Sequence, residues 1–252
     1  NIAIPGLPYG ILEGEVIRRD YGSLDGTDHT QVHWDDRTNY TPIVNANGGY
    51  QFLGYGVIGN PQPDFVYGVT NTLSYKWATL RVQFDSQVGG DVFSTTNSTL
   101  LGRGILQETD FDRFVPVVTN GLSADGTPNT TQTTANAHYW PNTGVFYDEN
   151  SIYDASVMRL REVSLSFVAP KSFLNGTPFG NASLTLSAQN IWHYAWNTPS
   201  GTNFDPEVIS YGAGSNARGF DEMTGPTAKK YGATLSLTSV SYTHLRAHET
   251  CG

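Results

Sequence analysis

Apolar and polar residues alternate along two neighbouring stretches of the chain, 65–75 and 78–85. The aromatic and aliphatic side chains fall mostly at odd positions in the first stretch and at even positions in the second, with Lys76 and Trp77 between them. A period of two predicts two β-strands joined by a tight turn, each with one apolar and one polar face. Each stretch is about as long as a transmembrane strand of roughly 9–11 residues, but the strands of a soluble β-sandwich alternate in the same way.

The same period of two returns further along the chain. It predicts additional strands at about 11–19, 156–168, 182–192 and 231–238. The segments between them are polar and rich in turn residues, so 88–155 and 193–230 are predicted to be long loops. A short helical turn is expected within 169–174. The pattern therefore predicts strands and loops in alternation, with no internal repeat beyond that.

Composition agrees with an all-β chain that has many turns. The 252 residues include 27 Gly, 14 Tyr, 12 Phe and 5 Trp, and only 15% are charged. The net charge of −9 argues against a nucleic-acid partner, which requires a basic surface. Cys251 is the only cysteine, so an intrachain disulfide is excluded. No stretch of 18 or more apolar residues is present, which excludes a transmembrane helix but not transmembrane strands.

Several blocks of sequence, in a fixed order, resemble the C-terminal part of the SusC/RagA family of TonB-linked outer-membrane transporters. The blocks are GNPQPDFVYG at 59–68, FDSQVGGDVF at 84–93, ASVMRLREVSLSF at 155–167, ASLTLSAQNIW at 182–192, FDPEV at 204–208 and YGATLSLT at 231–238. Ordered blocks spread over about 55–238 make a more specific signal than one short motif.

The resemblance implies an antiparallel meander that forms part of a large transmembrane β-barrel with long outer loops. Barrels of this kind have about 22 strands and a plugged lumen. This chain would supply the final third of such a barrel and would lack the plug. It has neither an initiator Met nor a signal peptide at Asn1, which is expected of a chain that begins within a longer gene.

The resemblance also implies a function and partners. A SusC-like importer lies in the bacterial outer membrane and takes up oligosaccharides or peptides. The TonB complex drives uptake through the missing N-terminal part, and a SusD-like lipoprotein covers the barrel. Outer-membrane lipid would surround the wall. No enzyme activity, cofactor or metal is expected.

The last 14 residues differ in character from the rest. We divide the chain into a barrel portion, 1–238, and a tail, 239–252, that resembles translated sequencing-adapter read-through. The tail contains His244, His248 and Cys251, which imitate a metal site, but we expect no metal there. The last strand is expected to end near Thr238.

The strand pattern assigns side chains to the two faces of the barrel wall. Apolar residues such as Leu80, Leu165 and Leu184 are predicted to face lipid. The residues predicted to face the lumen include Arg81, Gln83, Glu162 and Gln189. Arg159 and Arg161 share parity with the lipid-facing residues, so they are expected at or beyond the membrane interface, where a charge costs less.

Aromatic side chains in the loops are candidates for substrate contact, because flat rings can stack on sugar rings. The candidate substrate-binding residues are Trp140, Tyr147, Trp192 and Trp196. Packing within the loops and an interfacial aromatic belt explain the same residues without a ligand.

Two groups of carboxylates resemble chemical sites in their residue types. Asp25, Asp28, His29, His33, Asp35 and Asp36 form a dense cluster without EF-hand spacing, so we expect a solvated loop. Asp205 and Glu207 could form a glycosidase pair, but Pro206 between them favours a turn. No catalytic residue is therefore assigned. Two alternatives stay open: a soluble, secreted carbohydrate-binding β-sandwich and a secreted glycoside hydrolase.

Overall fold

Strands dominate the structure, a computed structural model that describes residues 1–21, 34–142, 147–198, 205–207, 217–225 and 227–239. The strands of these residues are β1 (Leu12–Ile17), β2 (Arg19–Asp20), β3 (Thr41–Pro42), β4 (Phe52–Gly59), β5 (Phe65–Tyr75), β6 (Ala78–Val88), β7 (Asp91–Ser94), β8 (Val117–Val118), β9 (Gln132–Thr133), β10 (Ile152–Asp154), β11 (Val157–Val168), β12 (Phe179–Tyr194), β13 (Phe220–Asp221) and β14 (Lys230–Ser239). The all-β prediction is confirmed.

Helical segments are short. The α-helices are α1 (Thr95–Gly102), α2 (Ala135–Ala137) and α3 (Lys171–Leu174); the 3-10 helices are Trp34–Asn39, Gln107–Thr109 and Asp148–Ser151; and His138–Asn142 is a π-helix. Helix α3 confirms the helical turn predicted within 169–174. Among the described residues, no helix combines the length and the apolar character needed to cross a membrane.

The chain divides into two compact units. The loop unit consists of Asn1–Tyr67, Ser86–Met158 and Tyr194–Thr227, and the sheet unit consists of Gly68–Asp85, Arg159–His193 and Ala228–Gly252. This division differs from the sequence-based division at residue 238. The tail beyond Ser239 lies outside the described residues, and β14 ends at Ser239, one residue past the predicted end.

The sheet unit is built on a five-stranded sheet in the order β14-β12-β11-β6-β5. Strands β12 and β14 pair antiparallel, with Leu184 opposite Leu235 and Thr185 opposite Thr234. Between β6 and β11, the Val168 N–H donates to the Trp77 carbonyl over 2.8 Å. The predicted pairings of 65–75 with 78–86 and of 156–168 with 182–191 are confirmed. Each long strand of this sheet therefore pairs with the next long strand along the chain.

Apolar and polar side chains separate onto the two faces of this sheet. On one face, Leu186 lies opposite Ala233; on the other, Ser183 lies opposite Ser236. The Ser166 and Thr185 hydroxyl oxygens are 2.9 Å apart across β11 and β12, so these two polar side chains share a face, as predicted. Antiparallel pairing places directly opposed residues on one face, which is why the period of two in each strand adds up across the sheet.

Large side chains on the apolar face of the sheet remain exposed. Leu184 remains 38% exposed, Leu186 44% and Leu235 65%. In a β-sandwich these side chains would be buried against a second sheet about 10 Å away. The sheet is therefore a single layer, and the sandwich alternative does not describe it.

Arg161 of β11 forms an ion pair with Asp85 of β6. Its guanidinium donates to both Asp85 carboxylate oxygens, over 2.8 and 2.6 Å, although the sequence pattern assigns these residues to opposite faces. The neighbouring Asn190 has a φ of 52° and lies 3.4 Å from the Arg161 guanidinium. The ion pair gives Arg161 a carboxylate partner, and its position at or beyond a membrane interface stays a prediction.

The loop unit has a hydrophobic core of its own. Leu12 and Val16 of β1 and Ile58 of β4 are buried together, and partly buried Phe93 and Phe220 pack against them. The sequence predicted 88–155 to be a plain loop; instead it contributes β7 and β10, and Val92 and Ala155 are buried. Strands this short carry too few residues for a period of two to be visible, which is why the pattern missed them.

Gly14 is required by the close packing of the 148–151 helix on β1. A Cβ at Gly14 would lie 2.6 Å from both the Asp148 Cβ and the Ile58 Cδ1. The Asp148 carboxylate also accepts a hydrogen bond from the Glu15 N–H over 3.0 Å. Only glycine leaves room for this contact.

We predict that Gly14→Ala lowers the free energy of unfolding by about 1–3 kcal/mol, because the added methyl group must displace Asp148 or Ile58. Urea denaturation followed by tryptophan fluorescence measures the change. Gly225→Ala is the matched control, since its Cβ would meet nothing within 4 Å. Equal denaturation midpoints for the two variants would contradict the packing argument.

Candidate ligand site

A cavity of about 530 Å³ lies within the loop unit, between the end of α1, the turns that follow it, and α2 with the π-helix. The lining residues that carry aromatic or charged groups are Arg103, Phe111, Arg113, Tyr139 and Trp140. Its volume is in the range typical of small-molecule sites, about 300–1,000 Å³. We refer to it as the loop cavity.

Local capping fixes the walls of the loop cavity. The Ser94 hydroxyl caps α1 by accepting the Asn97 N–H over 3.1 Å, and it donates to the Asp221 carboxylate over 2.7 Å. Gly104, with a φ of 69°, lets the chain turn sharply after α1. On the opposite wall, the Thr134 hydroxyl caps α2 by accepting the Ala137 N–H over 3.2 Å. The cavity therefore lies between the C-terminal end of α1 and the N-terminal end of α2.

The charged groups that line the loop cavity are both positive. The Arg103 guanidinium lies over the Trp140 ring, 4.6 Å from its centroid. The Arg113 guanidinium donates to the Gly104 carbonyl. Among the described residues, no carboxylate lines the cavity or forms an ion pair with either arginine. A cation over a tryptophan face is held there by the negative face of the ring.

Aromatic rings provide the apolar part of the lining. The Phe111 and Tyr139 centroids are 6.2 Å apart, and Tyr139 also lies edge-on to His138. Burial raises the pKa of Tyr139, with a further contribution from Glu108. Burial lowers the pKa of His138, whose Nδ1 is 3.1 Å from the Thr119 hydroxyl. Tyr139 and His138 are therefore partly buried side chains that pack against each other.

The structure brings only one of the four predicted substrate-binding aromatics into the loop cavity. Trp140 lines it, whereas the Tyr147 hydroxyl donates to the Tyr50 carbonyl over 2.7 Å and packs edge-on against the Tyr50 ring. Trp192 and Trp196 are 46% and 37% exposed and are not among the lining residues. Their contact with substrate stays a prediction.

The arginines of the loop cavity were missed by sequence reasoning. Arg103 and Arg113 lie in a turn-rich segment with no periodicity, and ten positions separate them. Phe111, also in this segment, was missed for the same reason. Only the fold of this segment brings the three side chains together, so no signal in the sequence could have identified them.

The four residues predicted to face the lumen occupy the alternate positions of their strands that carry mostly polar side chains. Gln189 lies opposite Lys230, and Arg81 is exposed, while Gln83 and Glu162 are half-buried. This is consistent with one continuous polar face. That the face lines a lumen stays a prediction.

The carboxylate candidates do not form a reactive site in the described part of the chain. Asp205 is buried, and its carboxylate accepts hydrogen bonds from the Glu207 N–H over 3.0 Å and from the Thr227 hydroxyl. Its role is to hold a turn. Among the described residues, no three His, Cys, Asp or Glu side chains are grouped to hold a metal ion. Asp36 is described, but the rest of its predicted cluster and the tail histidines lie outside the described side chains.

A buried ion pair stabilises the loop unit where β2 meets the 148–151 helix. The Arg19 Nη1 and the Glu149 Oε1 are 2.5 Å apart, with 8% and 11% of their side chains exposed. The second Glu149 oxygen accepts the Ile17 N–H over 2.8 Å. Arg37 is also buried nearby, and burial lowers its pKa while Glu149 opposes that effect. Glu149 therefore compensates the charge of two buried arginines.

We predict that Glu149→Gln lowers the free energy of unfolding by about 3–5 kcal/mol, because it leaves buried arginine charge without its carboxylate. Glutamine keeps a carbonyl that can accept the Ile17 N–H, so the loss reports mainly on charge. Glu13→Gln, at an exposed position of β1, the strand that contains Ile17, should change the free energy of unfolding by less than about 0.5 kcal/mol. A loss at Glu149 as small as that at Glu13 would show that the pair contributes little.

Comparison with known proteins gives two curated relatives. The chain is 28% identical over 160 residues to a protein named TonB-dependent receptor P3 from Formosa agariphila. The alignment covers 59% of this chain and 14% of the relative. It is 27% identical over 191 residues to TonB-dependent receptor P26 from the same organism. That alignment covers 72% of this chain and 18% of the relative. The chain thus spans less than a fifth of the length of these relatives.

The relatives confirm the resemblance to TonB-linked receptors that the sequence blocks indicated. Their names are those of receptors rather than enzymes, in agreement with the absence of an assigned catalytic residue. No family model matches the chain.

Solved structures of the RagAB peptide importer are also similar to the chain. Its closed-closed state aligns with 79% of this chain and 21% of the matched chain, at 19% identity and a TM-score of 0.48. A second structure, of the RagAB peptide transporter, aligns with 79% and 20% at 19% identity and a TM-score of 0.46.

Proposed function

We propose that this chain is part of the wall of a TonB-dependent importer in the bacterial outer membrane. The observation that carries the proposal is the uncovered apolar face of the five-stranded sheet, in a chain similar to TonB-dependent receptors. Fully burying one leucine-sized side chain contributes about 1.5–3 kcal/mol, so a whole uncovered row favours an apolar surrounding. The hydrocarbon core of a membrane supplies that surrounding.

The polar face of the sheet and the two free edges fit the same proposal. Ser166, Thr185 and Ser74 hydrogen-bond to neighbouring hydroxyls, as side chains can do along a wet lumen. Among the described strands, β5 and β14 each have a neighbour on one side only. Membrane-spanning strands need partners on both sides because lipid satisfies no backbone group. We infer that other parts of a longer protein pair with these edges.

The proposal includes partners that this chain does not itself contain. A SusD-like lipoprotein would close the outer end, and the TonB complex would drive uptake through a segment outside this sequence. The imported solute would be an oligosaccharide or a peptide. No catalytic step is part of the proposal.

The two alternatives have less support. A soluble carbohydrate-binding sandwich would require a second sheet over Leu184 and Leu186, which are half-exposed. A glycoside hydrolase would require two available carboxylates, whereas Asp205 is buried and accepts hydrogen bonds.

The membrane proposal predicts unequal effects for two adjacent substitutions in the full-length protein. Leu184→Arg should destabilise the folded barrel by about 2–4 kcal/mol, because it places a charge in the hydrocarbon. Thr185→Arg, on the opposite face, should cost less than about 1 kcal/mol. Urea unfolding in lipid vesicles measures both, and equal costs would contradict the proposal.

Energised uptake is the second expected outcome. Cells that express the full-length gene should accumulate labelled oligosaccharides or peptides, and deletion of TonB should abolish that accumulation. The Thr185→Arg variant should reach the outer membrane at the normal level and serves as the assembly control. Uptake that persists without TonB would contradict the proposed energy coupling.

A further inference from the structure

The loop cavity differs in charge from the chain around it. The chain has a net charge of −9, yet the ionisable side chains that line the cavity, among the described residues, are Arg103, Arg113 and the neutral phenol of Tyr139. Glu108, Asp110 and Asp112 belong to the same segment but do not line it. A positive lining in an acidic chain favours an anionic ligand group.

Both guanidinium groups retain hydrogen-bond donors. A guanidinium has five N–H donors in a planar fork, and the Gly104 carbonyl accepts from one Arg113 nitrogen. The Arg103 guanidinium lies over the Trp140 ring, 4.6 Å from its centroid, and this contact with the ring does not use up its N–H donors. Both side chains are exposed, so an anion can reach them without opening the fold. Carboxylate and sulfate groups match the fork with two parallel hydrogen bonds.

The aromatic part of the lining suits a saccharide ring. Phe111, Tyr139 and Trp140 present flat surfaces, and the negative face of an aromatic ring attracts the slightly positive C–H groups of a sugar. A peptide would instead use a free strand edge to satisfy its backbone. The described walls of the cavity are helix ends and turns, with no strand edge among their lining residues.

We propose that the loop cavity binds an acidic sugar unit of an oligosaccharide, with its carboxylate or sulfate on Arg103 and Arg113 and its ring against Trp140 and Tyr139. This rests on the proposed function as an importer and narrows its substrate class. Arg103 and Arg113 then determine specificity for charged over neutral saccharides.

Binding to the detergent-purified full-length protein tests the proposal by calorimetry. The probes are a tetramer of galacturonic acid, its neutral methyl-ester form, a sulfated galactose tetramer and tetra-glutamate. Arg103→Gln and Arg113→Gln should each weaken binding of a charged saccharide about tenfold, and change binding of the neutral form less than twofold. Added salt should weaken the charged saccharide more than the neutral form.

Matched variants separate charge recognition from folding. Arg18→Gln removes an exposed arginine of the same unit whose side chain contacts Gln51 at 3.5 Å, and it should leave binding unchanged. Arg103→Lys should restore only part of the affinity, because lysine keeps the charge but loses the fork. Urea midpoints for all variants should match that of the parent protein.

Each outcome decides the proposal. If the Arg103 and Arg113 variants bind as the Arg18 variant does, or if tetra-glutamate binds more tightly than both charged saccharides, the proposal is overturned. The relative affinity of the galacturonate and sulfated tetramers identifies the anionic group. The binding assay needs no TonB, so it is independent of the uptake assay. If the parent protein does not bind the charged saccharides but uptake is normal, only the cavity proposal is refuted. If uptake does not depend on TonB, only the proposed function is refuted.

Discussion

The separation of apolar and polar side chains across one uncovered sheet is the constraint on which the rest of the structure depends. In the register of β12 and β14, apolar residues lie opposite apolar residues and polar opposite polar, as in the pairs Leu184–Leu235 and Thr185–Thr234. A slip of one residue would exchange the two faces. In water the apolar row would remain unburied, and the proposed lipid surrounding would cover it.

The loop unit follows a different physical logic from the sheet. It has its own core around Leu12, Val16 and Ile58, and a buried Arg19–Glu149 pair that ties β2 to the 148–151 helix. The cost of burying these charges is offset only because each finds a hydrogen-bonding partner. A loop unit held in this way can carry a cavity with fixed walls, which is what a selective ligand site requires.

The loop cavity combines interactions that are weak separately. The cation–π contact of Arg103, the flat rings and the free N–H donors each contribute modestly. Together they would discriminate between ligands by charge and by ring shape, since a ligand would have to satisfy both. On the proposed function, such a site would select the solute, and the sheet would form part of the barrel wall.

The sequence alone determined the long strands of the five-stranded sheet, their order and their faces, because a period of two repeats over 10–12 residues and a one-residue slip in register would exchange the apolar and polar faces. It also indicated the relationship to TonB-linked receptors. It did not determine the short strands β7 and β10, the ion pair of Arg161 with Asp85, or the joining of Arg103, Arg113 and Trp140. These depend on contacts between residues distant along the chain, which are formed by turns, caps and burial and leave no period in the sequence.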